Sequence, residues 1–303
     1  YKCTYLPMST SFAVLLTCFN RKNKTLLALE NLYKAHKKSA NKLPMSVYLT
    51  DDGSSDGTAE AVAEEFPNVT ILTGNGELYW AGGMRNSWNE AKKKDYGAYL
   101  LLNDDTNLVE DIFDKIYETD KYCVTTYGST GIYVGATAEE GSDKTTYGGS
   151  VFTNRFLGAI KRCAVDEKKP QVCELGNANV MWVSKNVVDK IGILSEGYVH
   201  GMADFDYTMR AVKSKLPVLI LPGISGTCIN DHGNTYERFM KLSLKERIKF
   251  LYHPTGLDFT SQSFHMKRHF PLRYPLFFIV GWLKVLFPKQ YYNTLYATRV
   301  NRV

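Results

Sequence analysis

The chain has 303 residues, of which 44% are hydrophobic and 22% charged, so it is long enough for a sizeable core and indicates one large or two intimate globular domains. Its six cysteines are scattered and include no CxxC pair; although Cys163 and Cys173 could bridge, the pattern excludes a disulfide-dense fold and favours reduced thiols in a cytosolic protein. The net charge of +6 is uneven, since residues 241–303 hold eleven Lys and Arg but two Asp and Glu, which points to an anionic partner surface.

Strands and helices alternate over the first part of the chain. Apolar runs bounded by polar residues predict strands at Ser11–Cys18, Met45–Thr50, Val69–Leu72 and Ala98–Asn103. Helical spacing and capping residues predict helices at Lys24–Lys38, from Ser55 or Asp56 to about Glu65, and at Met84–Lys94 after the glycine-rich stretch Gly74–Gly83. This alternation predicts an α/β fold with a mostly parallel central sheet flanked by helices.

The pattern changes after residue 120, where short β-like runs with glycines occupy residues 122–165. Further along we predict strands at Asn179–Val183 and Val218–Leu221, and helices at Lys185–Ile191 (capped by Ser184), Asp204–Ser214 and Thr235–Tyr252. No flexible linker separates the halves. We therefore expect one domain over 8–240, with halves at about 8–120 and 121–240, followed by a basic helical extension over 241–303.

The extension contains an apolar run, 274–283, that is about half the roughly 20 residues needed to span a membrane. Arg273, Lys284 and Lys289 flank this run and Trp282 lies within it, which favours an amphipathic helix lying on an anionic membrane surface. The alternative is a helix packed on the body with solvated lysines. Interleaved aromatic residues are also compatible with nucleic-acid binding, but no groove-reading motif is present, so we expect no nucleic-acid partner.

Polar side chains are concentrated where predicted strands end or helices begin. Because α/β proteins bind ligands at the carboxyl ends of their strands, we take six segments as the candidate site: Thr17–Arg21, Asp51–Thr58, Asn75–Asn86, Asn103–Thr106, Gly201–Arg210 and Asn230–Asn234. Glycines before a helix can offer N–H groups to an anion. No GxGxxG follows the first strand, so a dinucleotide-binding fold is not supported. Each segment alone is also compatible with an ordinary turn.

The segment Leu100–Thr106 carries the clearest chemical signal. Three leucines run into Asn103, Asp104 and Asp105, which places paired oxygen ligands at the end of a central strand. Such ligands suit a hard cation, Mg²⁺ or Mn²⁺, which would neutralise phosphate on a nucleotide substrate. His232 lies in a polar loop and is free to ligate the same metal, although a lone histidine is more often a surface residue.

Two carboxylates begin the helix predicted at Asp204–Ser214. Since Asp204 and Asp206 point in different directions, one could act as a general base while the other caps the helix or pairs with Arg210, four residues on. We therefore expect residues 8–120 to bind a nucleotide and residues 121–240 to face an acceptor.

Seven segments in order resemble the inverting glycosyltransferases of family 2, which have the GT-A nucleotide-diphospho-sugar transferase fold, and in particular their rhamnosyltransferase-like bacterial branch. The resemblance spans roughly Phe12 to Asn234 and rests on Thr17–Arg21, Asp51–Thr58, Asn75–Asn86, Leu101–Thr106, Gly176–Asn179, Asp204–Arg210 and His232. Each segment is weak evidence alone, whereas seven with this order and spacing are specific.

The resemblance implies a role for each matching residue. The nucleotide sugar would be bound by Thr17, Asn20, Arg21, Asp52, Asn75, Trp80, Gly82, Gly83, Asn86, Asn103 and Asp104, with Asp52 at the base. Mn²⁺ or Mg²⁺ would be held by Asp105, Asp104 and His232. Asp204 would be the catalytic base, and Asn177, Asn179 and Asp206 would face the acceptor. The chain departs from the family pattern at Asn103, where the family often has Asp, and at Ala203, where a Glu commonly precedes the base.

These roles imply transfer of a hexosyl or deoxyhexosyl group from a UDP- or dTDP-sugar to a hydroxyl of a glycan or lipid-linked acceptor, during synthesis of a bacterial surface polysaccharide. A protein of this kind is expected in the cytoplasm, peripheral on the inner face of the cell membrane. Two alternatives remain open: a weak or inactive GT-A-fold protein that binds carbohydrate or nucleotide, and a sugar nucleotidyltransferase. A nucleotidyltransferase should carry a glycine-rich basic loop after its first strand, and Asn20–Asn23 contains no glycine.

Overall fold

A large twisted β-sheet forms the centre of the first of two units into which the chain divides. The structure, a computed structural model, describes residues 11–142, 144–228 and 239–296. The first unit extends to Ser195 and resumes with the segment that begins at Ala203, whereas the second contains Glu196–Met202 and the C-terminal helices.

The predicted alternation of strands and helices is confirmed in the first part of the chain. The strands are β1 (Phe12–Cys18), β2 (Met45–Asp51), β3 (Val69–Thr73) and β4 (Ala98–Leu102), and the helices between them are α1 (Lys22–Lys38), α2 (Thr58–Glu65) and α3 (Tyr79–Ala91). The four strands are parallel and lie in the order β4-β1-β2-β3. The chain therefore reverses its direction of travel across the sheet at β1, and a crevice opens between the carboxyl ends of β1 and β4.

The second part of the chain extends the sheet beyond β4. Its elements are β5 (Asn107–Leu108), α4 (Ile112–Tyr127), β6 (Ile132–Ala138), β7 (Thr145–Tyr147), β8 (Gly149–Asn154), β9 (Ala159–Arg162), β10 (Gln171–Val172), β11 (Leu175–Gly176), β12 (Val180–Ser184), α5 (Lys185–Ile191), α6 (Ala203–Lys213) and β13 (Val218–Thr227). Strand β12 runs antiparallel between β4 and β6, and β13 is parallel to β6. The sheet is thus mostly parallel in its first half and mixed beyond β4, while β11, β8 and β9 form a separate small sheet.

The central strands are apolar on both faces because helices cover the sheet on both sides. Every residue of β1, β4, β6 and β12 is buried. Aromatic rings link the layers: the ring of Phe12 lies 5.1 Å from that of Trp182 and 5.4 Å from that of Phe113. Five of the six cysteines lie in the described part of the chain, and these, Cys18, Cys123, Cys163, Cys173 and Cys228, are free thiols as predicted.

One boundary prediction is wrong in a way that matters for the site. Helix α3 begins at Tyr79 rather than Met84, so Gly82 and Gly83 lie inside the helix and are buried. A Cβ on Gly83 would stand 2.0 Å from Oγ1 of Thr17. Glycine at this position lets α3 pack directly against the end of β1, and these two glycines do not form the anion-binding loop that their sequence pattern suggested.

The second unit is helical. It contains α7 (Leu244–Tyr252), α8 (Phe259–His269), a short 3-10 turn (Pro271–Arg273), α9 (Tyr274–Leu286), α10 (Pro288–Tyr291) and a final π-helical turn (Tyr292–Tyr296). Its core is formed by Phe239, Leu251, Phe259, Val285 and Tyr291. No helix within the described ranges is both long and apolar enough to span a bilayer.

The predicted helix Thr235–Tyr252 is interrupted before Leu244, and its first four residues lie outside the described part of the chain. The interruption has a local cause, because Ser243 and Glu246 form a reciprocal capping box that begins α7. The segment Glu196–Met202 belongs to this unit through backbone hydrogen bonds: Gly201 donates to the Asp258 carboxylate at 3.1 Å.

Candidate functional site

A charged triad lies at the crevice between β1 and β4. Arg21 follows β1, and Asp104 and Asp105 follow β4. The Nη1 atom of Arg21 donates to Oδ2 of Asp105 at 2.7 Å and to Oδ1 of Asp104 at 3.3 Å. The two carboxylate oxygens therefore converge on a single nitrogen at the carboxyl ends of these strands.

The two carboxylates differ in their surroundings. Asp104 is 6% exposed, and its second oxygen lies 3.5 Å from the Thr25 hydroxyl. Burial raises the pKa of Asp104 to about 7, against the opposing effect of the Arg21 guanidinium. Asp105 is more accessible and accepts the shorter bond from Arg21. A positive charge at the point where their oxygens meet stabilises the ionised form of both carboxylates.

Cys228 is a residue of this site that the sequence did not single out. Its thiol lies 3.6 Å from Oδ1 of Asp105, and its own burial raises its pKa to about 11. The same thiol and carboxylate line a cavity of about 200 Å³ together with Lys24, Leu27, Asn107, Glu140 and Thr227. Only the folding of β13 beside β5 brings Cys228 here, so no local sequence signal could have found it.

The loops after β1 and β2 are joined by the side chain of Asn20. Its amide oxygen accepts from the Ser55 backbone at 2.7 Å, and its own backbone N–H donates to the Ser54 hydroxyl at 2.9 Å. Asn20 has a φ of 50°, a left-handed conformation that asparagine tolerates better than most residues. Asn20 is exposed and fixes the shape of the loop pair next to Arg21.

Asp52 is 3% exposed, and both of its oxygens are bound by backbone N–H groups. Oδ1 accepts from Gly76 at 2.9 Å and Oδ2 from Tyr79 at 2.8 Å, at the start of α3. A carboxylate at a helix N-terminus is stabilised by the helix dipole. In this structure Asp52 thus shapes the loop before α3, which differs from the direct contact with a base that the resemblance implied. Asn75 is exposed in that loop, where its oxygen accepts from Glu77.

Helix α3 presents Trp80 and Asn86 near the strand ends. The Trp80 indole donates to Oδ1 of Asn103 at 2.8 Å, so the amide of Asn103 orients an aromatic ring beside the carboxylates. Asn86 donates to the Thr50 hydroxyl at 3.3 Å. Thr17 is 7% exposed and packs against Gly83 of α3, so it forms part of the wall of the crevice.

Asp204 lies in the first turn of α6 and its carboxylate is held by three donors. Oδ1 accepts from the Phe205 N–H at 2.8 Å, and Oδ2 accepts from the Ala178 N–H at 3.3 Å and from Asn177 Nδ2 at 3.4 Å. Burial raises the pKa of Asp204, while these hydrogen bonds oppose the shift. An oriented carboxylate with a raised pKa suits a general base.

Residues Asn177–Asn179 connect Asp204 to the triad. At one end Asn177 and Ala178 hold the Asp204 carboxylate. At the other end the carbonyl of Asn179 accepts from the backbone N–H of Asn103 at 3.1 Å, and the Asn179 amide donates to the Cys228 thiol at 3.5 Å. Asn179 is 5% exposed, so it supports the Asn103 backbone and Cys228 and does not face an acceptor. This one segment holds the Asp204 carboxylate in place relative to the Asp104–Asp105 pair.

The structure does not place Asp206 on the acceptor side. Asp206 is fully buried, and its Oδ2 accepts from Arg210 Nε at 2.8 Å and from the Ser195 hydroxyl at 3.1 Å. This is the pairing with Arg210 that we considered for one of the two carboxylates. Asp206 thus stabilises α6 and leaves Asp204 as the carboxylate available for chemistry.

A divalent cation fits part of this site. Asp104 and Asp105 offer two oxygens that already converge on one cationic nitrogen, which stands in for a metal. His232, the expected third ligand, lies outside the described residues. Within those residues there is no group of three or more His, Cys, Asp or Glu side chains arranged to hold a metal. The residues present therefore account for two ligands of a hard cation.

Comparison with solved structures identifies the fold. PcManGT, a mannosyltransferase from Pyrobaculum calidifontis solved with GDP-Man and Mn²⁺, is 16% identical with a TM-score of 0.52, and the match covers 78% of this chain and 61% of that one. S. aureus TarS is 14% identical with a TM-score of 0.51, over 80% of this chain and 40% of TarS. A TarS 1–349 structure with UDP gives the same identity and TM-score and is covered to 69%.

These likenesses confirm the predicted GT-A-like fold. The chain spans less than two thirds of the mannosyltransferase and of full-length TarS. No family model matches the chain, and no curated protein matches its sequence.

Proposed function

We propose that this chain is an inverting glycosyltransferase that moves a sugar from a nucleotide-diphospho-sugar to an acceptor hydroxyl. The observation that carries the proposal is the segment Asn177–Asn179, which joins a hydrogen-bonded carboxylate, Asp204, to the cation-binding pair after β4. A base and a diphosphate site held by one rigid segment are what a single displacement at an anomeric carbon needs. Solved proteins of this fold include complexes with GDP-Man and with UDP-GlcNAc, which supports a donor of this class.

The reaction follows from the charges of the site. The acceptor oxygen attacks the anomeric carbon as Asp204 takes its proton, and the bond from that carbon to the diphosphate breaks. The leaving nucleoside diphosphate keeps the electron pair, and Arg21 stabilises its growing negative charge. When bound between Asp104 and Asp105, Mn²⁺ or Mg²⁺ would supply further positive charge to the diphosphate. Attack opposite the leaving group inverts the anomeric centre, so no enzyme nucleophile is required.

The finer assignments are part of the proposal. Membership of family 2, a UDP- or dTDP-linked donor and a hexosyl or deoxyhexosyl group rest on the motif order of the sequence. His232 is proposed as the third metal ligand, and Asn177 is the remaining acceptor-side candidate beside Asp204. Synthesis of a bacterial surface polysaccharide is the process that such a transferase would serve.

The test is turnover of a nucleotide-sugar panel (UDP-, dTDP- and GDP-linked) with Mn²⁺, comparing wild type with Asp204→Asn. We expect release of the nucleoside diphosphate by the wild type and a loss of about 10²-fold or more in the variant, since general-base catalysis contributes roughly that factor. Asp189→Asn, an exposed helix carboxylate, is the matched control. Binding without turnover would identify a nucleotide-sugar-binding protein. The absence of both binding and turnover would overturn the proposal.

For the acceptor, we propose a lipid-linked molecule at an anionic membrane surface, to which the second unit binds. In and just before α9, apolar side chains at spacings of four and three residues are exposed: Leu272 by 86%, Leu276 by 65%, Ile279 by 56%, Leu283 by 40% and Leu286 by 49%. This spacing places them on one side of the helix. An apolar helix face in a strongly basic segment is typical of a helix lying at a lipid surface.

Vesicle flotation tests this surface. Wild type should float with phosphatidylglycerol-containing vesicles, and Leu276→Ser/Ile279→Ser should lose most of that binding. The control Leu27→Ser/Leu157→Ser changes exposed leucines of the first unit, which are 46% and 59% accessible. Unchanged flotation of the first variant would contradict the assignment. The assignment would also be contradicted if sedimentation showed that the wild type forms a concentration-dependent dimer and that the same variant is monomeric.

A further inference from the structure

We infer that Arg21 occupies the metal position when no nucleotide is bound, so that metal and nucleotide must bind together. The inference rests on the proposed function and concerns the control of that same site. One nitrogen of Arg21 lies 2.7 Å from Asp105 Oδ2 and 3.3 Å from Asp104 Oδ1, between the two oxygens proposed to hold the cation.

Sterics and charge both make the two occupants exclusive. Mg²⁺ binds carboxylate oxygens at about 2.0–2.1 Å, so an ion held by both carboxylates would overlap the space that the guanidinium nitrogen now fills. Two positive charges at one point would also repel each other strongly. A metal that enters between Asp104 and Asp105 therefore has to displace Arg21.

Arg21 is able to leave this position. Its side chain is 43% exposed, compared with 8% for Asp104 and 16% for Asp105, so the carboxylates are fixed and the cation is the mobile partner. Outside the pair, the guanidinium needs another anion. A nucleoside diphosphate at the crevice supplies oxygens that arginine binds in a bidentate manner.

The consequence is positive coupling between metal and nucleotide. Without nucleotide, Mn²⁺ competes with an ion pair already formed within the chain. With nucleotide, Arg21 transfers to the diphosphate and the carboxylate pair becomes available. Because such coupling is reciprocal, Mn²⁺ must also tighten nucleotide binding by the same factor. Arg21 acts here as a positioning residue that keeps a positive charge between the two carboxylates until the donor arrives.

The test measures free Mn²⁺ by electron paramagnetic resonance, with and without UDP or GDP, and requires no turnover. Arg21→Gln should bind Mn²⁺ alone at least threefold more tightly than wild type. Nucleotide should tighten Mn²⁺ binding about tenfold in wild type and clearly less in Arg21→Gln. Lys24→Gln is the matched control: it removes one positive charge whose effect on Asp104 is smaller than that of Arg21, so it should give a smaller gain.

Several results would overturn the inference. One is that Arg21→Gln binds Mn²⁺ alone no more tightly than Lys24→Gln does. Another is that nucleotide raises the Mn²⁺ affinity equally in wild type and Arg21→Gln. The third is that none of the three proteins binds Mn²⁺. Arg21→Met provides a second uncharged variant should the glutamine variant fail to fold. Failure of the proposed function would give a different result, because the wild type would then bind neither UDP nor GDP. The comparison of wild type with Arg21→Gln in Mn²⁺ alone would still decide the role of Arg21.

Discussion

The buried pair Asp206–Arg210 and the exposed pair Lys185–Asp189 allow one quantitative test of the structure. Both are separated by four residues on short helices of the first unit, with N–O distances of 2.8 and 2.9 Å. Their exposures differ: side-chain exposure is 13% and 0% for Arg210 and Asp206, against 45% and 59% for Lys185 and Asp189. Burial should therefore be the main cause of any difference in the cost of removing the two carboxylates.

Asp206→Ala should lower the free energy of unfolding by about 3–5 kcal/mol, because it leaves a buried guanidinium without its counter-charge. Arg210 cannot turn towards water to relieve this, since its other two nitrogens donate to the carbonyls of Ile191 at 2.6 Å and Ile193 at 2.7 Å. Asp189→Ala should cost about 0.2–1 kcal/mol, as exposed pairs do. Asp206→Asn, which keeps an acceptor but removes the charge, should fall between the two.

Urea unfolding followed by tryptophan fluorescence measures these costs. A Trp282→Phe background leaves Trp80, Trp88 and Trp182, all in the first unit, as the reporters. With slopes near 3 kcal/mol per molar urea, Asp206→Ala should shift the midpoint by roughly 1–1.7 M. Adding Arg210→Met should recover part of the loss, because an apolar pair can replace a buried ion pair. Equal costs for Asp206→Ala and Asp189→Ala would refute the reasoning.

Three further predictions concern the walls of the site. Gly83→Ala should destabilise the chain by about 1–3 kcal/mol through its clash with Thr17, whereas Gly148→Ala, whose Cβ would meet nothing nearer than 3.4 Å, should cost less in the same melt. Folding raises the pKa of Asp104 to about 7, so between about pH 4 and 7 the folded state holds a proton on this carboxyl that the unfolded state has lost. The free energy of unfolding should therefore fall as pH rises from about 4 to 7, and Asp104→Asn should remove that part of the slope in urea titrations. Trp80→Phe should lower the nucleotide-induced rise in Tm, because it removes the indole donor that binds the amide of the β4 turn.

Local patterns predicted β1 to β4, β12, the start of β13 and helices α1, α2, α5 and α6, because burial and helical periodicity can be recognised in short segments of sequence. They missed α4, since residues 122–127, expected to be β-like, are the end of that helix. The same holds for Arg21 and Asp105, since strands that run parallel bring their ends to one edge of the sheet. The failures need contacts between distant segments. The packing of Gly83 on β1, the capping of α3 by Asp52 and the approach of Cys228 to Asp105 each depend on where another element lies, which no window of sequence contains.

The two departures from the family pattern have structural explanations that leave the proposed chemistry intact. Ala203 is completely buried at the start of α6, so a glutamate there would bury an unpaired charge, and the proposed base is Asp204 alone. Asn103 uses its amide oxygen to accept from Trp80, so its task is to orient the ring rather than to bind a cation. In the proposed site the metal depends on Asp104 and Asp105, which both accept from Arg21 in this structure. In the mechanism proposed above, the same guanidinium pairs with these carboxylates before the donor binds and with the diphosphate afterwards.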